Sequence, residues 1–219
     1  MAELTLKYES LVFDIIQEYV NKNRTFNYNT ILPFINSRFG KSNINLNNRG
    51  IKLIIQKLIK KGLISEGSKL TRTDVLSNPN RKDIFDFIKN NPGIYFNKLV
   101  EKLDLNPPVV GWHLKTLLKF KCIKYKKIEN RKVYFIVNIE KDLLKLYYTL
   151  SKNKCKQIID YFLMNNSAKK SQISNKLSMH HYTVNKYLDI LEEYNLVKKS
   201  KKNFIFNIDY YKELLEQMK

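Results

Sequence analysis

The chain has 219 residues, 43% of them hydrophobic, enough for one large domain or two to three small ones. Its 40 basic and 20 acidic residues give a formal charge of +20 and a pI near 9.7, which favours a polyanionic partner: nucleic acid first, an anionic membrane second. Richness in Lys, Asn and Ile fits an AT-rich genome, but Glu codons are AT-rich too, so codon bias does not explain the deficit of acids. Cys122 and Cys155 lie far apart in apolar patterns, which speaks for a reducing interior and against a disulfide scaffold. The opening MAELTLKYES lacks the layout of a signal peptide, and no apolar run approaches the roughly 18 residues of a membrane span. These features predict an intracellular, soluble protein.

From the N-terminus, Phe13, Ile15, Ile16, Tyr19 and Val20 mark a first helix. A polar insert, Asn21 to Asn29, precedes a second helix from Thr30 to Phe39. Asn48 to Lys61 form a third, with Ile51, Ile55 and Leu58 inward. Leu63-Ile64 then opens a predicted hairpin near Glu66-Gly67-Ser68. Gly40-Lys41-Ser42 resembles the end of a phosphate-binding loop. That motif needs a glycine where Ile35 stands, so it is dismissed.

In the middle of the chain, Ile84, Phe85, Phe87 and Ile88 line a helix that ends at Asn91-Pro92-Gly93. Phe96, Leu99, Val100 and Leu103 follow at helical spacing. Asn106 suits an N-cap, and Pro107 suits the first helical position, where its missing N–H costs nothing. Val110, Leu114 and Leu117 give the next helix its buried face. Ile123–Ile128 and Val133–Val137 predict a two-stranded hairpin around Glu129-Asn130-Arg131.

The last third repeats the order. Helices are predicted at Lys154–Met164, Ser171–Leu177 and His180–Tyr194, and strands near Leu196–Lys199 and Phe204–Ile208. Tyr210 to Lys219 reads as a closing helix, and a further helix is expected near Lys141–Leu150. Sliding the chain by 74 residues puts Ile84 on Ile158, Leu99 on Ile173, Val110 on Val184, Leu114 on Leu188, Leu117 on Leu191 and Ile123 on Val197 without a gap. The expected fold is therefore mainly α with small β-hairpins (α+β), in three tandem units: 1–77, 78–140 and 141–219. Their net charges are +6, +7 and +7, so every unit shares the surplus and no basic tail concentrates it.

Three helices followed by a hairpin is the winged helix-turn-helix order. The residues Asn78-Pro79-Asn80-Arg81, Asn91-Pro92-Gly93, Leu99 to Leu105 and Val110-Gly-Trp-His-Leu114 resemble the winged helix of prokaryotic transcription regulators of the ArsR/MarR type, in their archaeal versions. The resemblance is good over Pro79–Val137, moderate over Lys154–Ile208 and weak over Leu6–Arg72. It implies a third helix in the major groove and a wing on the backbone or in the neighbouring minor groove.

In the middle unit that assignment falls on Pro108, Gly111, Trp112, Lys115 and Lys119 of the third helix. Lys124, Lys126, Lys127, Arg131 and Lys132 fall on the wing. In the last unit it falls on His180, His181, Tyr182, Thr183, Asn185 and Lys186, with Lys198, Lys199, Lys201 and Lys202 on the wing. Asn185 suits an adenine edge. The first unit offers Asn47, Arg49, Lys52 and Gln56, but Glu66 stands where a wing base would, which leaves its contact with DNA open.

Trp112 reads as a packing residue more readily than as a base contact, and His113, which aligns with Tyr187, as a half-buried structural residue. Adjacent His180 and His181 point different ways on a helix and have no partners for a metal. No catalytic constellation is evident, so no enzyme activity, cofactor or small-molecule substrate is expected. The expected function is a DNA-binding transcription regulator on the chromosome in the cytoplasm, with duplex DNA as partner and a homodimer or other transcription proteins as further candidates. Two rivals stand beside it: non-specific chromosome coating, and a winged-helix scaffold of the kind found in polymerase or membrane-remodelling complexes.

Overall fold

The computed structural model describes residues 2–42, 44 and 46–217. They form two compact units. The first holds the residues up to Phe85 together with Leu105–Ile123; the second holds Asp86–Asp104 and the chain from Lys124 onward.

The first unit opens with three helices: α1 (Ala2–Asn21), α2 (Tyr28–Lys41) and α3 (Asn48–Lys61). Asn27 and Asn47 cap α2 and α3 by accepting the Asn29 and Gly50 N–H groups, which satisfies donors that the first turn leaves orphaned. Val12, Ile16, Ile31, Ile35, Ile51, Ile55 and Leu58 form their shared core. Ion pairs brace the outside. Glu18 of α1 meets Lys22 and Arg38, and Glu9 of α1 meets Lys57 and Lys61 of α3.

The hairpin expected near Glu66 does not form. Gly62 caps α3 in the left-handed conformation (φ 73°), and a tight turn follows in which Ser68 N–H donates to the Ser65 carbonyl. A second strand is not what satisfies this backbone. The polar insert after α1 returns Phe26 to it, and Phe26 exchanges hydrogen bonds with Ser68 (2.8 Å) and Gly67 (3.0 Å). A short helix α4 (Arg72–Val75) ends the segment.

The winged-helix order follows: α5 (Pro79–Asn90), β1 (Ile94–Tyr95), α6 (Phe96–Leu103), α7 (Pro107–Lys119), β2 (Ile123–Ile128) and β3 (Arg131–Ile136). The β2–β3 turn places Glu129 and Asn130 both at positive φ (48° and 61°), the geometry that matches the twist of a two-residue hairpin. Beyond the expected hairpin, β1 adds a third strand, giving the order β1-β3-β2 with Ile94 opposite Tyr134.

The remaining elements of the second unit are α8 (Leu144–Leu150), α9 (Asn153–Asn165), β4 (Ser167–Lys169), α10 (Lys170–Lys176), α11 (His181–Glu193), β5 (Val197–Ser200), β6 (Asn203–Phe206) and α12 (Ile208–Gln217). Its second sheet has the same plan, β4-β6-β5, with Ser167 opposite Ile205 and Val197 opposite Phe206. The 74-residue offset survives in the elements: α6 and α10, α7 and α11, and β2 and β5 each start that far apart. One core runs from Phe135 and Leu146 through Cys155, Ile158 and Phe162 to Val184, Leu188 and Phe204.

Candidate nucleic-acid interface

In the first unit, α7 buries Val110, His113, Leu114 and Leu117, the 3–4 spacing of a helix with one apolar face. Pro108, Trp112, Lys115 and Lys119 are exposed, and Gly111 is half-buried. Asn106 stands at the N-cap, but its side chain caps nothing; Pro108, at the second helical position, removes one of the donors it would have served.

Trp112 is 57% exposed, with the Arg81 guanidinium 5.2 Å from its ring centroid and the His113 ring edge-on at 4.8 Å. Lys119 is engaged within the protein: its ammonium donates to the Glu66 carbonyl at 2.9 Å. Lys121 does the same to the Lys60 carbonyl, and Arg72 donates to that of Phe120. Lys115 is the basic side chain on this face that stands clear. On α3, Arg49, Lys52 and Gln56 are exposed beside a 60% exposed Leu53.

In the second unit, the β2–β3 hairpin exposes Lys126, Lys127, Arg131 and Lys132. Arg131 lies over the Tyr95 ring (4.8 Å) and Lys132 over that of Tyr125 (5.1 Å). Lys124 is partly buried and turned back on its own strand pair, donating to the carbonyls of Val137 (3.0 Å) and Ile139. Burial, then the neighbouring Lys141, pushes its pKa down.

The tip of this hairpin is acidic and occupied. The Glu129 carboxylate accepts from Lys152 (2.5 Å), Lys186 (3.0 Å) and the Tyr148 hydroxyl (3.2 Å). The hydrogen bond from Lys152, with further help from Lys186, overcomes the opposing effect of burial and pulls its pKa to about 2. The sequence shows Glu129 as a turn residue; only the fold shows what reaches it.

On α11, His180 is the N-cap and accepts the Tyr182 N–H at 3.2 Å, while His181 Nδ1 pairs with Ser174 Oγ at 3.1 Å. Tyr182 is 75% exposed and Thr183 half-buried. Asn185 donates to the Asp189 carboxylate (2.7 Å) and accepts from Lys170 (3.2 Å), so both ends of its amide are already engaged. Asp189 and Glu193 share a shallow groove with Tyr182, Asn185 and Lys186. These acids recur at four-residue spacing from Asn185, a signal legible in the sequence that the search for basic residues passed over. On the β5–β6 hairpin Lys198, Lys199, Lys201 and Lys202 are all exposed.

Among the described residues, no three His, Cys, Asp or Glu side chains gather as metal ligands, and no helix is long and apolar enough to cross a membrane.

Residues 78–142 match a protein family described as an N-terminal HTH domain. The chain is also 31% identical over 140 residues to an uncharacterized HTH-type transcriptional regulator of Methanocaldococcus jannaschii. The match covers 64% of this chain and 35% of the relative, so the chain spans about a third of that protein's length. The middle of the chain is thus similar to a helix-turn-helix domain.

Proposed function

We propose that the protein is a duplex-DNA-binding transcription regulator built from three winged-helix-like units, 1–77, 78–140 and 141–219. Helix α7 enters the major groove through Pro108, Gly111, Trp112 and Lys115, and the exposed lysines and arginine of the β2–β3 hairpin hold backbone phosphates. The observation that carries this reading is the exposed, acid-free face of α7 within the segment that matches a helix-turn-helix family. A half-buried glycine in that face permits close approach of the helix to base edges.

The β5–β6 hairpin, with four exposed lysines, supplies further phosphate contacts. Tyr182, Thr183, Asn185 and Lys186 of α11 are read as a second, weaker reading surface, because Asp189 and Glu193 repel phosphate beside them. The first unit serves chiefly to support α7, in keeping with the hydrogen bonds from Lys119 and Arg72. The protein acts on the chromosome in the cytoplasm, as a monomer with tandem units or as a homodimer.

The test is selection from a random duplex pool, then a salt titration on the winner and on scrambled DNA. A recovered motif bound far more tightly than the scramble supports a specific regulator. Lys115→Ala should then cost about 1–3 kcal/mol at one base pair, and Lys126→Ala should weaken all sequences alike and lower the salt slope by about 1. Tight binding with no motif would indicate chromosome coating, and no binding at physiological salt would sink DNA binding altogether.

A further inference from the structure

The acidic tip of the β2–β3 hairpin and the lysines around it go beyond the reading above. Three donors from three elements of the second unit converge on the Glu129 carboxylate: Tyr148 from α8, Lys152 from the N-cap of α9, and Lys186 from α11. Two ammonium groups and a hydroxyl around one monoanionic pair of oxygens also suit a phosphodiester, which has the same charge and the same acceptors. Lys152 is held in place from below, its ammonium 4.5 Å from the Tyr148 ring centroid.

Glu129 sits at φ 48°, where Asn or Gly is at ease and Glu is not. Lys121, Ser178 and Lys201 share that region, so it is the three donors, not the turn, that single Glu129 out. Nor is the cluster sealed: the side chains of Lys186 and Glu129 are 47% and 43% exposed, so an incoming anion reaches them without unfolding. Tyr182, one turn before Lys186 on α11, is more exposed still.

We propose that Lys152, Lys186 and the Tyr148 hydroxyl form a binding site for a backbone phosphate of duplex DNA, which the Glu129 carboxylate fills until the phosphate displaces it. The wing tip of the middle unit thereby holds the α11 surface closed in the free protein, and DNA opens it by exchange of one oxyanion for another. The proposal rests on the DNA-binding reading and adds to it a site and a competitor.

The test is a titration of a random-sequence duplex over a range of NaCl concentrations with the full chain. Five proteins are compared: wild type, Glu129→Gln, Glu129→Gly, Lys186→Gln and the Glu129→Gln/Lys186→Gln double variant. Glu129→Gln should bind more tightly with the salt slope little changed, because in both proteins the lysines end on a phosphate. Lys186→Gln should lower the slope by about 0.9 in both backgrounds, and the gain in affinity from Glu129→Gln should shrink once Lys186 is gone. Glu129→Gly, which the left-handed turn accepts without strain, guards against a folding defect and should behave like Glu129→Gln.

Much tighter binding by the Glu129 variants where wild type binds only weakly also supports the site. DNA binding by wild type with unchanged affinity in both Glu129 variants, or with a slope that Lys186→Gln does not lower, overturns the site and leaves the DNA-binding reading intact. Absence of binding in all of them overturns both.

Discussion

Arg81 lies beneath Trp112, its guanidinium 5.2 Å from the indole centroid and almost wholly buried, while the indole itself faces solvent. The guanidinium also donates to the Val75 carbonyl at 2.8 Å. The two residues therefore divide the structural role from the proposed DNA contact. Arg81→Ala should destabilise the fold by about 2–4 kcal/mol, because it empties a packed site and leaves a buried carbonyl unpaired. Trp112→Ala should cost under about 1 kcal/mol of stability yet weaken DNA binding. Urea unfolding and duplex titration of both variants check this; a large stability loss from Trp112→Ala would make it a packing residue only.

His113 should give the fold a pH dependence near neutrality. It is buried, its Nδ1 has no partner, and burial followed by the nearby Arg81 charge pushes its pKa down. The folded state therefore resists protonation more than the unfolded state does. Its contribution is complete above the unfolded value of about 6.5 and is lost as pH falls from there through the lowered folded value. Unfolding free energies measured between about pH 5 and 7.5 should show this slope, and His113→Gln should flatten it.

Much of the plan was legible in the chain. The 74-residue offset located α6, α7, β2 and their counterparts because buried apolar positions repeat with the helix and strand periods. The strands β1 and β4 escaped notice because two or three residues carry no periodicity. The missing first hairpin escaped for another reason. Leu63 and Ile64 look like a strand, but Phe26, far upstream, takes the hydrogen bonds a partner strand would have taken. Nonlocal pairing also decides the candidate site. Exposure follows from helix phase, as with Lys115, whereas the partners of Lys119, Lys124 and Lys186 follow only from the tertiary fold.

Glu9 is a buried carboxylate whose burial opposes ionisation, yet hydrogen bonds and charge from Lys57 and Lys61 bring its pKa below the usual value. Glu9→Gln should cost about 1–2 kcal/mol, less than a fully buried pair would, because both lysines remain partly in water. The sign with pH is that of a lowered carboxylate: the stability is present above about 4.3 and is lost as pH falls through the folded value. Acid unfolding of wild type and variant should converge at low pH; parallel curves would argue against the pair.

Gly93 tests the close packing of the second unit. Its φ is 87°, its N–H donates to the Tyr134 carbonyl, and an added Cβ would lie 2.7 Å from the Tyr148 Cα. Gly93→Ala combines a left-handed backbone with a clash against main chain, so a loss of about 2–4 kcal/mol is expected. Gly67→Ala, equally left-handed but with open space around it, should lose only about 1–2 kcal/mol. Equal losses would show that strain alone matters.

The short strands β1 and β4 bear on the order of folding. Each pairs with a strand that lies beyond two intervening helices in the chain, Ile94 with Tyr134 and Ser167 with Ile205. Closing such a loop costs entropy before any hydrogen bond rewards it. The helices therefore assemble first, and the sheets complete late in folding. By the same reasoning the amides of β1 and β4 exchange with solvent by opening that leaves the helical core intact, well before the amides around Leu114 and Leu188 are released.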